Sequence, residues 1–150
     1  MGISAYLILL AVGVPSACIL LWLNAGILWL TGWTDLAVKF PNRAEEPLLQ
    51  LRWQSGCFGT VNVSWLTLSV CPSGLRVAIP RLLGPFCHDF FVPWENLTVI
   101  RKKGLFEQDA ELRFPNQRYS SLTIAGRVAD KLASASQGRW PKSVPLPLAT

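Results

Sequence analysis

Residues 61–79 read VNVSWLTLSVCPSGLRVAI. Val61, Val63 and Trp65 alternate with Asn62 and Ser64, and Leu66, Leu68 and Val70 alternate with Thr67, Ser69 and Cys71. Pro72-Ser73-Gly74 supplies turn residues, after which Leu75, Val77 and Ile79 resume the alternation around Arg76 and Ala78. Successive side chains on a strand point to opposite faces, so a period of two broken by a turn describes a β-hairpin with one buried face.

The same period extends to both sides. Leu49, Leu51 and Trp53 alternate with Gln50, Arg52 and Gln54. After a looser stretch over residues 80–88, which contains Gly84-Pro85, Phe90 and Val92 open a strand that breaks at Pro93. Residues 97–101 are strand-like, and Lys102-Lys103-Gly104 reads as the turn after them. Ala110, Leu112 and Phe114 alternate with Asp109, Glu111 and Arg113, which predicts a half-buried strand with Glu111 facing outward. Pro115-Asn116 turns, and Leu122 and Ile124 form a last short strand. A helix follows over residues 126–136, with Val128 and Leu132 on one face, and Gly138 ends it. Three prolines in residues 139–150 predict an extended tail. About seven antiparallel strands capped by one C-terminal helix resembles a pleckstrin-homology-like or GRAM-like antiparallel barrel, whose two sheets pack orthogonally and whose helix plugs one open end.

Upstream the character changes. Residues 2–34 contain no Asp, Glu, Lys, Arg or His, and the run exceeds the roughly 20 apolar residues that a membrane-spanning helix needs. Met1-Gly2-Ile3-Ser4 has no basic side chain, and the run is too long for a signal-peptide core, so a retained transmembrane helix is expected. Pro15 predicts a kink near residues 11–15, eased by Ser16. Trp22, Trp29 and Trp33 fall on one helical face, and Trp29 and Trp33 are assigned to the membrane interface, where aromatic belts form. Lys39 and Arg43 follow the helix while the N-terminal side offers only an amino group, which places the C-terminal domain in the cytoplasm. Thr34-Asp35 is expected to cap a short helix that Pro41 stops, with Leu36, Ala37 and Phe40 on one face. The divisions are thus 1–34 transmembrane helix, 35–46 juxtamembrane helix and connector, 47–138 β-domain and 139–150 tail.

The chain has 150 residues and a formal net charge of +5, all of it beyond residue 34. A basic domain beside a bilayer suggests contact with anionic headgroups, for which Arg101, Lys102 and Lys103, the one basic run, are the candidate residues. The competing and favoured reading is that the basic residues fix topology and solubility and that this run is a solvated turn at the end of an edge strand. Cys18, Cys57, Cys71 and Cys87 show none of the short spacings of zinc ligands or redox dithiols, so no metal or cofactor is expected. Cys87-His88-Asp89 is the only cluster of nucleophile, base and acid types. Adjacent strand residues face opposite ways, which argues against a catalytic pairing there. Glu95 and Trp94 read as turn and barrel-mouth residues. No nucleic-acid-binding motif is present.

Gly32-Trp33-Thr34-Asp35-Leu36-Ala37-Val38-Lys39-Phe40-Pro41 is similar to the juxtamembrane stretch of small, uncharacterised bacterial single-pass membrane proteins. Gly74-Leu75 and Val92-Pro93-Trp94-Glu95-Asn96-Leu97 resemble the glycine-led strand and the I-P-W-x-x-I segment of their pleckstrin-homology-like cytoplasmic domains. The resemblance implies an inner-membrane anchor and a fold, and no activity. The expected role is therefore a non-enzymatic binding or scaffolding protein that meets the bilayer and a protein partner. The alternatives are a small subunit of a membrane complex, or an enzyme using the 87–89 loop.

Overall fold

The computed structural model describes residues 3–30, 32–81, 87–104, 107–115 and 121–145. The uncharged run forms α1 (Ile3–Leu30), a helix of 28 residues with Pro15 inside it. At 1.5 Å per residue such a helix is about 42 Å long, more than the hydrocarbon thickness of a bilayer. Among the described residues it is the one helix long and apolar enough to cross a membrane. Pro15 takes away the N–H that would pair with the Ala11 carbonyl, and the Ser16 hydroxyl donates to the adjacent Val12 carbonyl at 2.7 Å.

Gly32, at φ 85°, turns the chain into α2 (Trp33–Lys39). The expected Thr34-Asp35 cap is not used: the helix starts earlier, with the Leu36 N–H on the Gly32 carbonyl at 3.1 Å and Asp35 in its first turn, where a carboxylate suits the helix dipole. It ends at Phe40, before Pro41, as anticipated.

The strands are β1 (Leu49–Phe58), β2 (Val61–Val70), β3 (Gly74–Ala78), β4 (Phe90–Pro93), β5 (Thr98–Lys103), β6 (Gln108–Arg113) and β7 (Ser121–Ala125), followed by α3 (Gly126–Ala135) and the two-residue β8 (Val144–Pro145). A 3-10 turn, Trp94–Asn96, joins β4 to β5. The sheet order is β4-β3-β2-β1-β7-β6-β5-β8. Seven strands are antiparallel, as the alternation predicted, and they curl as one continuous sheet into a half-barrel, the outline that the order of elements suggested, while β8 lies parallel on the β5 edge. The two halves meet in β1, which pairs with β2 over most of its length and with β7 at Gly56 to Phe58. Gly56 sits where this double pairing crowds the backbone: a Cβ there would lie 2.9 Å from both the Leu66 side chain and the Thr123 carbonyl oxygen.

One strand departs from simple alternation. The β1–β2 register shifts on both sides of Gln54, and Trp53 takes φ 58°. This bulge turns Trp53 to solvent, although the spacing from Leu49 and Leu51 placed it on the buried face.

The core is aromatic at one end. Trp33 meets Phe58 at 5.1 Å and Phe90 at 4.9 Å between ring centroids, and Phe90 meets Phe114 at 5.7 Å, all edge to face. Leu36, Leu66, Leu68, Leu75, Leu112, Leu122 and Ile124 fill the rest, and α3 closes it with Ala129 and Leu132. The assignment of Trp33 to the membrane interface is therefore corrected: it is 1% exposed, and its indole N–H donates to the His88 carbonyl at 2.9 Å. A ring enclosed by three elements of the domain cannot lie among lipid headgroups.

Residues 35–46 likewise belong to the β-domain. The chain enters through α2 on the inner side, and the Phe91 N–H bonds the Phe40 carbonyl at 3.0 Å while Pro41 bridges to Phe90. It then crosses to the outer face of β3 and β4. The tail is partly fastened too. Gln137 and Gly138 turn it at φ 55° and 81°, Arg139 donates to the Pro72 carbonyl, and Trp140 packs 5.8 Å from Trp94. Gly84-Pro85, Asn116 and Pro147 lie outside the described residues.

Candidate functional site

A cleft of about 600 Å³ opens between α2 and the segment leading into β4. One wall is α2, through Thr34, Ala37 and Val38. The facing side is formed by Arg81 and by Cys87, His88 and Asp89. The Trp33 bond to the His88 carbonyl holds that segment against the helix. Val38 is 79% exposed at the mouth. Cys87 is buried, and burial pushes its thiol up. His88 is exposed, so the structure sends these neighbours to different environments. Asp89 is half-buried, and burial raises its carboxyl against the opposing pull of Arg81, Arg76 and His88. It makes no ion pair or hydrogen bond among the described residues. No three His, Cys, Asp or Glu side chains among the described residues gather into a set that could hold a metal ion.

Arg101 lies in a strand as expected, but Lys102 and Lys103 do not form the turn expected of them. β5 runs through Lys103, and the turn comes after it, with the Gly104 N–H on the Glu107 carbonyl at 2.9 Å. Neighbours on a strand face opposite ways, and here Arg101 and Lys102 find different partners. Arg101 pairs with Asp130 of α3 at 2.6 Å, whereas Lys102 pairs with the buried Glu111 of β6. Lys103 is exposed. Burial works to raise the Glu111 carboxyl, but hydrogen bonds from Lys102 and Arg113 outweigh it and hold the group below the usual carboxylate range. The three residues, contiguous in sequence, are thus split between two faces. Of the other two candidates, Trp33 is in the core, and the side chain of Trp29, within α1, lies outside the described residues.

The connector carries a hydrogen-bond cluster that charge pattern alone did not reveal. Arg76 of β3 donates to Asn42 Oδ1 at 2.9 Å and to the carbonyls of Arg43 and Glu45 at 2.6 and 2.8 Å. The Ser73 hydroxyl donates to Glu45, and that bond chiefly holds the Glu45 carboxyl low. The Arg43 guanidinium lies 5.4 Å from the Phe91 ring centroid. Lys39 donates to the Pro115 carbonyl at 3.1 Å. Lys39 and Arg43, on which the expected orientation rests, are therefore also fastened to the domain. The only signal was the density of charged and amide residues over 42–46, and it has the same form in a free linker.

No family model, no curated protein and no solved structure matches this chain.

Proposed function

We propose that the chain is a single-pass inner-membrane protein whose pleckstrin-homology-like domain, on the cytoplasmic side, holds a binding surface against the bilayer for lipid headgroups and a protein partner. The observation that carries this reading is the short connection from α1 to α2. Two residues separate the last turn of the apolar helix from Trp33, which is packed in the domain core. A connection this short keeps the domain close to the end of α1, which supports a binding surface held near the bilayer. A binding role is favoured over catalysis by the burial of Cys87, which pushes its thiol up and away from the thiolate a nucleophile needs, and by its separation from the exposed His88. A second reading, a small subunit of a membrane complex, draws on the apolar hollow of α1 lined by Pro15, Cys18, Ile19 and Gly26.

The test is a photo-reactive amino acid placed at Val38 or at Lys103 in the full chain, irradiated in native membranes. The expected outcome is membrane-retained chain that survives an alkaline wash and forms lipid or protein adducts from position 38. Chain recovered in the aqueous fraction would overturn the anchoring, and a membrane-bound chain with no adduct from position 38 would overturn the surface contact.

A further inference from the structure

We infer that the cleft between α2 and residues 87–89 receives the headgroup of a zwitterionic aminophospholipid, with Asp89 taking the ammonium and Arg81 and His88 the phosphate. The inference rests on the membrane anchoring proposed above and names the ligand class for that surface.

The cleft contains both signs of charge. Asp89 stands half-buried with no ion pair or hydrogen bond among the described residues. A carboxylate partly withdrawn from water gains from a cation that can also donate hydrogen bonds to it. Arg81 and His88 lie near enough to favour its charged form, yet neither closes on it, which leaves their own donors free for an acceptor. A purely anionic headgroup would meet the Asp89 carboxylate, and a simple cation would meet Arg81. A group that carries an ammonium a few bonds from a phosphate satisfies both ends at once.

Position and shape agree. The cleft volume of about 600 Å³ falls within the range of small-ligand sites. The wall that follows the apolar helix in the chain is α2, which begins three residues after α1 ends. Val38 projects from that wall, 79% exposed, with Ala37 beside it. In water this is an apolar surface without a partner. Against the glycerol and first methylenes of a lipid it would be covered.

The experiment uses the full chain in nanodiscs of mixed phosphatidylethanolamine, phosphatidylcholine and phosphatidylglycerol, with retained lipid identified by native mass spectrometry. Phosphatidylethanolamine is expected to be retained over the other two. Asp89→Asn should lower that retention about tenfold, roughly the worth of one hydrogen bond to a charged group, while leaving phosphatidylglycerol unchanged. Arg81→Gln, at an exposed position, should reduce retention of every phospholipid and gives an independent result if Asp89→Asn fails to fold. Equal phosphatidylethanolamine retention by the parent and either folded variant overturns the assignment. Complete displacement by soluble glycerophosphoethanolamine overturns the lipid source. A chain that stays in the bilayer without headgroup preference removes this inference alone, whereas one that leaves the bilayer removes the anchoring beneath it.

Discussion

Trp33, Trp53 and Glu111 show how the setting of a single side chain decides what its substitution does. Trp33 is enclosed by Phe58 and Phe90, so Trp33→Ala should destabilise the domain by about 3–5 kcal/mol, the usual cost of truncating a large buried aromatic. Thermal unfolding of the full chain in detergent would measure this; a loss below 1 kcal/mol would return Trp33 to the membrane interface. Trp53 is the opposite case, being 65% exposed at φ 58°. Trp53→Gly should leave stability unchanged or raise it by up to about 1 kcal/mol, because glycine adopts that backbone conformation freely. Glu111 is buried between Lys102 and Arg113 with its carboxyl held low. A depressed folded-state value means that its stabilisation is complete above the ordinary glutamate value of about 4.3 and is lost as pH falls through the folded-state value. The melting temperature of the parent should therefore exceed that of Glu111→Gln near neutral pH, and the gap should close on acidification below about pH 4. A gap independent of pH would show that Glu111 acts through packing and not through charge.

Residues 33–47 act as one hook around the β4 edge: a helix inside, a bridge at the edge and a hydrogen-bonded strap outside. A fragment of residues 47–138 lacks Trp33, Leu36 and Phe40 and exposes Phe91 and Arg76. It should melt well below a fragment of residues 32–145, though both should give strand-dominated circular dichroism; equal melting would make the hook an ornament. Most of the strands were legible because Val, Leu and Phe repeat at period two wherever one face is buried, as at Ala110, Leu112 and Phe114. The helix after β7 was legible from its period of 3.6. The hook was not. A short apolar helix next to a membrane span has the same pattern whether it rests on lipid or on protein, and only tertiary packing distinguishes them. The bulge at Trp53 was hidden because an inserted residue changes register without changing composition. The candidate basic run failed as a single patch for a related reason: strand geometry alternates faces, and the partners Asp130 and Glu111 are 29 and 9 positions away. Replacing Arg101, Lys102 and Lys103 together by Ala should consequently cost stability, with Lys102→Ala the largest single share, since it leaves the buried Glu111 with one fewer counter-charge.

The proposed orientation of the molecule rests on the basic residues that follow α1. Positions 3–30 are uncharged, whereas Lys39 and Arg43 stand within thirteen residues of its end. Translocation of basic residues is disfavoured when they flank a span closely. In addition, Lys39 and Arg43 are fastened to Pro115 and Phe91 in the folded domain, so inversion would require the whole half-barrel to be moved across. A reporter fused after Thr150 and active only in the cytoplasm should give signal, and one active only outside should stay silent. Testing the cause by removing Lys39 and Arg43 would also loosen the hook, so the cleaner variant adds charge at the other end. Gly2→Lys with Ser4→Lys balances the flanks without touching the domain, and it should shift a measurable fraction of the chain to the inverted orientation. If the parent reporter is active only outside, the cytoplasmic placement fails. If the two added lysines shift nothing while the parent is cytoplasmic, folding of the β-domain before insertion, rather than flanking charge, holds the orientation.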